Sequence, residues 1–446
     1  MEQRAWCSHE EARYEETERA FRELLADRIG WTGPEDVAVA RAQFAVGDAL
    51  RHLSDAGAAE KMARASLATW RAIGRDDDPE RISTLTLLGQ LLADRGEFEE
   101  AKQLYSEALA LSIRINSERH RSSSSMMDIL GGVCLALGDQ ETAEKHFQRS
   151  LEILRELVVG DHPDMARVLN DLGELRRGQG RNAEAVDLLR QGLEMRQRVH
   201  PAGHPEVAQS YNNLALAVYA TGDLEQSIEL MRKAVEVRRA ATGHMDPKLP
   251  DTLTNLASLE RTRGAFDVSI ELSREALALQ EAHLGPDHPE MAFPLITLGR
   301  TLREKGELVE SESLMRRALE IRAAVFGERS VQAAECLVHL GLTLRAKGDP
   351  GAAETPLRTS VEIYVAALGQ EQPKTAMAHA ELGACLLELR RFDEAEIEFL
   401  AAQHSYEARY GVKNPKTQQV ARSLAALYDA LARKEDADRW RAAGAR

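Results

Sequence analysis

Along the chain an apolar residue followed by a small one returns at a constant interval. The pairs are Val46-Gly47, Leu88-Gly89, Leu130-Gly131, Leu172-Gly173, Leu214-Ala215, Leu256-Ala257, Leu298-Gly299, Leu340-Gly341, Leu382-Gly383 and Leu424-Ala425, each step being 42 residues. Seven residues after the small position stands another glycine, at Gly96, Gly138, Gly180, Gly222, Gly264, Gly306 and Gly348. Five residues further on comes a second small set, Ala101, Ala143, Ala185, Ser227, Ser269, Ser311, Ala353 and Ala395. The pattern predicts a helix, a glycine turn and a second helix in each unit. Glycine inside a helix costs about 1 kcal/mol relative to alanine. Its return in unit after unit needs a reason, and close approach of the two helix axes supplies one. The leucine beside it fills the shared core, and the later glycine takes the positive φ of a helix C-cap.

Units are predicted to start near Val37, Pro79, Arg121, Pro163, Pro205, Pro247, Pro289, Val331, Pro373 and Pro415. Proline there ends one helix and pre-sets the first turn of the next. This divides the chain into an N-terminal capping helix and linker (1–36), nine repeats (37–414) and a truncated repeat acting as a cap (415–446). Phe21, Leu24, Leu25 and Trp6 are placed on the apolar side of the capping helix; docking of this helix into the array's own groove is the alternative. Two departures stand out. The run Ser122–Ser125 replaces a proline start and reads as a solvated helix start, with a phosphorylation target as the sharper alternative. Pro356 lies deep in a second helix and should kink it and lower local stability.

Composition sharpens the class. Of 446 residues 43% are hydrophobic, 29% charged and only 5% aromatic, which argues against a sheet-built fold. A formal charge of −15 repels phosphate backbones and anionic lipids, so neither nucleic acid nor a membrane is the expected partner. The four cysteines form neither a disulfide framework nor a CxxC motif. Cys134, Cys336 and Cys385 fall beside core positions of first helices and read as buried thiols, Cys7 as a surface residue. The charged N-terminal stretch does not read as a signal peptide, and a cytoplasmic location is expected.

No phosphate loop, GxGxxG, HExxH or GxSxG motif occurs, so neither an enzyme nor a cofactor is expected. His162, His204 and His288 recur at the linkers. Equivalent positions of successive helix layers lie about 10 Å apart, too far to share a metal, so these histidines read as loop-structuring.

The phasing of small residues, "YNNLA" at Tyr211–Ala215, "LTNLA" at Leu253–Ala257 and linkers such as Gly160-Asp161-His162-Pro163 resemble the tetratricopeptide repeat. In period and linker they are similar to its kinesin-light-chain-like subclass. The resemblance covers roughly residues 37–446 and implies an all-α, right-handed superhelical solenoid of antiparallel helix pairs. First helices then line a concave groove. The resemblance implies that asparagines at matching phase contact a bound peptide; Asn170, Asn212, Asn213 and Asn255 match. Asparagine both donates and accepts, so it can hold an extended backbone without reading its sequence. Four residues after the small position stand Arg177, Tyr219, Arg261, Arg303 and Arg345, a row suited to carboxylates. The bland alternative is that the arginines complement helix dipoles and the asparagines bond adjacent helices. Absence of lysine at the matching phase argues against a receptor for chaperone tails, and absence of long heptads argues against a motor subunit. The expected function is a scaffold or adaptor that binds an extended, acidic segment of a protein partner. A sensor acting through a partner effector and a recruiting subunit of an enzyme complex are the alternatives.

Overall fold

The computed structural model describes residues 2–53, 55–75, 77–201, 203–242 and 246–445, with the side chains of 2–13, 32 and 241–242 outside the described set. Among these residues the regular structure is helical: twenty-one α-helices and a short 3-10 turn at Pro289–Met291. The sequence expectations for Trp6 and Cys7 concern side chains outside the described residues.

Two compact units divide the chain between Asp223 and Leu224, inside the fifth repeat. The first unit holds α1 (Glu2–Thr32) and the pairs α2 (Val37–His52) with α3 (Ala56–Ile73) and α4 (Glu80–Asp94) with α5 (Phe98–Asn116). It continues through α6 (Arg121–Ala136) with α7 (Gln140–Leu157) and α8 (Pro163–Gly178) with α9 (Asn182–Val199), and ends on α10 (Pro205–Thr221). The second unit begins with α11 (Leu224–Thr242). Its pairs are α12 (Leu249–Arg263) with α13 (Phe266–Leu284), α14 (Ala292–Lys305) with α15 (Leu308–Phe326) and α16 (Val331–Ala346) with α17 (Pro350–Leu368). Last come α18 (Pro373–Glu388) with α19 (Phe392–Tyr410) and α20 (Pro415–Ala430) with α21 (Lys434–Gly444).

The small positions do what their spacing requires. A Cβ placed on Gly131 would stand 2.5 Å from the Phe147 ring, one on Gly173 2.5 Å from Leu189, and one on Gly341 2.5 Å from Leu357. In each case the intruding side chain lies sixteen residues later, on the second helix of the same pair. Glycine therefore admits a large knob between the two rods. The turn glycines all take positive φ, from 76° at Gly180 to 98° at Gly222. Where the register reaches Arg390 and Ala432, non-glycine residues hold the same conformation, at φ 60° and 56°.

Several departures have physical explanations. The serine run is not a solvated helix start: Ser123 and Ser124 are buried. Ser112 of the preceding repeat bonds Ser122 and Ser123 at 2.7 and 2.9 Å, and Ser124 bonds Ser150 of its own helix pair at 2.8 Å, so the run ties α6 both to the repeat before it and to α7. Its cap is His120, whose side chain accepts the Ser122 amide. The sixth repeat starts at Leu249 rather than Pro247, because Asp246 accepts the Lys248 amide and holds the turn ahead of it. Helix α17 runs unbroken through a buried Pro356. Phe21 of α1 packs against the core around Val46 and Leu50, and Tyr14 stacks on His52 at 4.4 Å. Leu24, expected on the apolar side, is 40% exposed.

Candidate functional site

Within each unit the first helices touch the first helices of neighbouring repeats: α2 with α4, α6 with α8 and α8 with α10 in the first unit, and α12 with α14, α14 with α16 and α16 with α18 in the second. Second helices make no comparable contact with one another among the described residues. The first helices thus form the tighter side of each stack. Their polar side chains away from the core make the candidate site.

In the first unit the asparagines join in a chain. Asn212 donates to Asn213 at 3.0 Å, Asn213 to Asn170 at 3.2 Å, and Asn170 to the Asp171 carboxylate at 3.2 Å. Asn170 is buried, whereas Asn212 and Asn213 are half-buried. The first therefore serves the fold, and the second pair stands at the surface. Beneath them Asp128 is buried and ion-paired with Arg167. Burial pushes the Asp128 carboxyl up to about 7 and raises that of Asp171 as well. Arg177 is spent locally on Glu174, at 2.9 Å, while Tyr219 is 43% exposed.

In the second unit Asn255 is half-buried. The side chains of Arg261, Arg303 and Arg345 are 15%, 16% and 16% exposed, one environment repeated three times. They are not equivalent in partners. Arg261 holds Glu304 at 2.7 Å, and Arg345 holds Glu381 at 2.8 Å and Glu388 at 2.6 Å. Arg303 comes only to 3.9 Å from Glu304. Sequence reasoning expected a uniform row and missed the glutamates that neutralise its ends. It also missed Arg300 and His339, which belong to the same cluster as Arg303: burial lowers the pKa of all three, and the charges of Arg300 and Arg303 lower that of His339 further. A residue one place after the small position on the same helix side as Arg303 was the signal available for Arg300.

The linker histidines have a defined role. Side chains of His162, His204 and His288 accept the amides of Asp164, Glu206 and Glu290 at 3.1, 3.3 and 3.3 Å, acting as N-caps. Among the described residues one cluster has metal-ligand composition: His200, His204 and Glu206 each bring a ligand atom within 4.8 Å of the others. Its geometry opposes a cation. The two rings stack 4.0 Å apart at 15°, and the Arg196 guanidinium already stands 3.4 Å from the Glu206 carboxylate. Cys134, Cys336 and Cys385 are buried free thiols, and burial pushes Cys336 and Cys385 up to about 11.

A tetratricopeptide repeat family model matches residues 39–114, 121–198, 164–240, 248–314 and 295–365, and a second tetratricopeptide repeat model matches 339–409. No curated protein matches the chain. Among solved structures, the apo form of the quorum sensor NprR from B. thuringiensis is 15% identical, with a TM-score of 0.57 over 81% of this chain and 97% of that one. BtubC (BKLC) from P. vanneervenii is 22% identical, with a TM-score of 0.44 over 53% of this chain and 92% of that one. A putative kinesin light chain with nearly identical repeats from Podosopora anserina is 22% identical, with a TM-score of 0.41 over 47% and 99%. No described helix is long and apolar enough to cross a membrane.

Proposed function

We propose, on the premise that the chain belongs to the tetratricopeptide repeat family, that it is a protein-interaction scaffold whose first helices hold an extended segment of a partner. The side-by-side packing of first helices within each unit is the observation that carries this reading. In the first unit it gathers half-buried amides, and in the second an amide and guanidinium groups, onto a preformed surface of that unit, so the receptor loses little freedom when a segment lies along it. On the first unit Asn212 and Asn213 would hold backbone and Tyr219 offers an apolar anchor; on the second unit Asn255 would hold backbone. Acidic residues of a segment lying on the second unit would face that unit's arginine-bearing first helices. Asn170, which is buried, and Arg177, Arg261 and Arg345, ion-paired within the chain, shape the surface more than they contact the guest. A sensor of a small ligand or signalling peptide acting through a partner effector would use the same surface; the structural neighbour NprR is named a quorum sensor. Scattering with and without bound peptide separates the two, because a sensor changes shape.

Short acidic peptides and their Asn/Gln counterparts, titrated against the full chain by fluorescence anisotropy, test the reading. Acidic peptides should bind at least about tenfold more tightly than the neutral set. Asn212→Ala with Asn255→Ala should weaken binding without lowering the melting temperature. Equal binding of neutral peptides, or unchanged affinity in the variant, would overturn the proposal.

A further inference from the structure

His339, on α16, is 8% exposed, and its Nδ1 has no hydrogen-bond partner among the described residues. The same holds for two buried atoms of α14, Arg300 Nε and Arg303 Nη1. Neighbouring arginines are spent: Arg261 on Glu304 at 2.7 Å, Arg322 on Glu335 at 2.7 Å and Arg345 on Glu381 at 2.8 Å. Among the described residues the one carboxylate within 4 Å of Arg303 is that of Glu304, at 3.9 Å, and Arg261 already holds it; Glu381 acts on Arg303 from farther off and is held by Arg345. A guanidinium stays charged at any physiological pH, so the centre of this cluster carries positive charge without a bonded counter-charge. Two half-buried cations in that state on neighbouring turns of one helix are costly, which points to a ligand that offsets the cost.

We propose that Arg300, Arg303 and His339 form a binding site for a single oxyanion, a carboxylate or a phosphate group. Planar guanidinium forks match such an anion in shape, and its oxygens would accept from donors that otherwise have no partner. His339 supplies a neutral donor, since burial and the surrounding arginines hold its pKa well below the ordinary range. The site rests on the scaffold reading for its place on the first helices, where it fixes the register of a bound segment through one acidic group. Its chemistry stands on these three residues alone.

Inorganic phosphate and N-acetylaspartate amide are the probes, titrated into the full chain against chloride at matched ionic strength. Multivalent anions also stabilise proteins by exclusion from the surface, so the informative quantity is the difference between wild type and Arg300→Gln/Arg303→Gln. Wild type should gain melting temperature with the probe, and the variant should bind about tenfold more weakly or worse. Without probe, the variant should melt no lower than wild type, which shows that it folds. Arg274→Gln, at a guanidinium 56% exposed on α13, should respond as wild type does. A response to phosphate alone assigns a phosphate source; a response to both probes assigns a carboxylate as well. Equal shifts in all three proteins would overturn the site. Acidic peptides that still bind the double variant at full affinity would sink this site and leave the scaffold reading standing. Probe binding without any peptide binding would do the reverse.

Discussion

Gly131 is the residue at which the interlock of a helix pair is most easily tested. Its missing Cβ leaves room for Phe147, so Gly131→Ala forces the ring aside and should destabilise by about 1–3 kcal/mol despite alanine's better helix propensity. Phe147→Leu should recover part of that loss, a non-additivity readable by chemical denaturation as a double-mutant cycle. Arg390 tests the opposite end of the repeat. It holds a φ of 60° where earlier repeats have glycine, so Arg390→Gly should raise stability by about 1 kcal/mol. Asp128 gives a pH signature. Its folded-state carboxyl, at about 7, keeps a proton that the unfolded chain releases near 3.8. Stability therefore falls as pH rises from about 4 to about 7, and Asp128→Asn should flatten that fall in denaturation curves taken across the range. The small positions were legible in the sequence because size alone marks them. The knobs were equally present sixteen residues downstream, at Tyr105, Phe147, Leu189 and Phe399, but aromatic and aliphatic residues there carry no pattern until the pairing of helices is known.

Among the elements, helix starts and turns followed the sequence closely, since proline and glycine act through local backbone geometry. Capping followed it less well. His162, His204 and His288 were legible as structuring residues, but histidine is outside the usual N-cap set, so the bond to the second following amide was not. Substituting His288 by alanine should cost about 1 kcal/mol, and His288→Asn should restore most of it, measured by thermal melting. Helix α17 shows a limit of a different kind. Pro356 removes one amide from the ladder, yet packing in the core holds the helix through it. The cost should appear as faster exchange: amide protection around Val361 is expected to fall below that around Val235, and equal protection would contradict this.

At the scale of the whole molecule, the array was readable because each repeat restates the same contacts over a short stretch of chain. The site was readable only as a set of phases. Whether an arginine on a first helix is spent depends on glutamates one repeat away, such as Glu304 for Arg261 and Glu388 for Arg345, each 43 residues on. Phase places a side chain on a face; it does not give its partner. That is why Arg303 and Arg300, rather than the full row, are the guanidinium donors proposed for a guest. The central claim is that partners lie along the first helices. Hydrogen–deuterium exchange of the full chain with and without a bound acidic peptide tests it most directly. Added protection should fall on α8, α10, α12, α14 and α16; protection confined to the second helices α9, α13 and α15 would contradict the account.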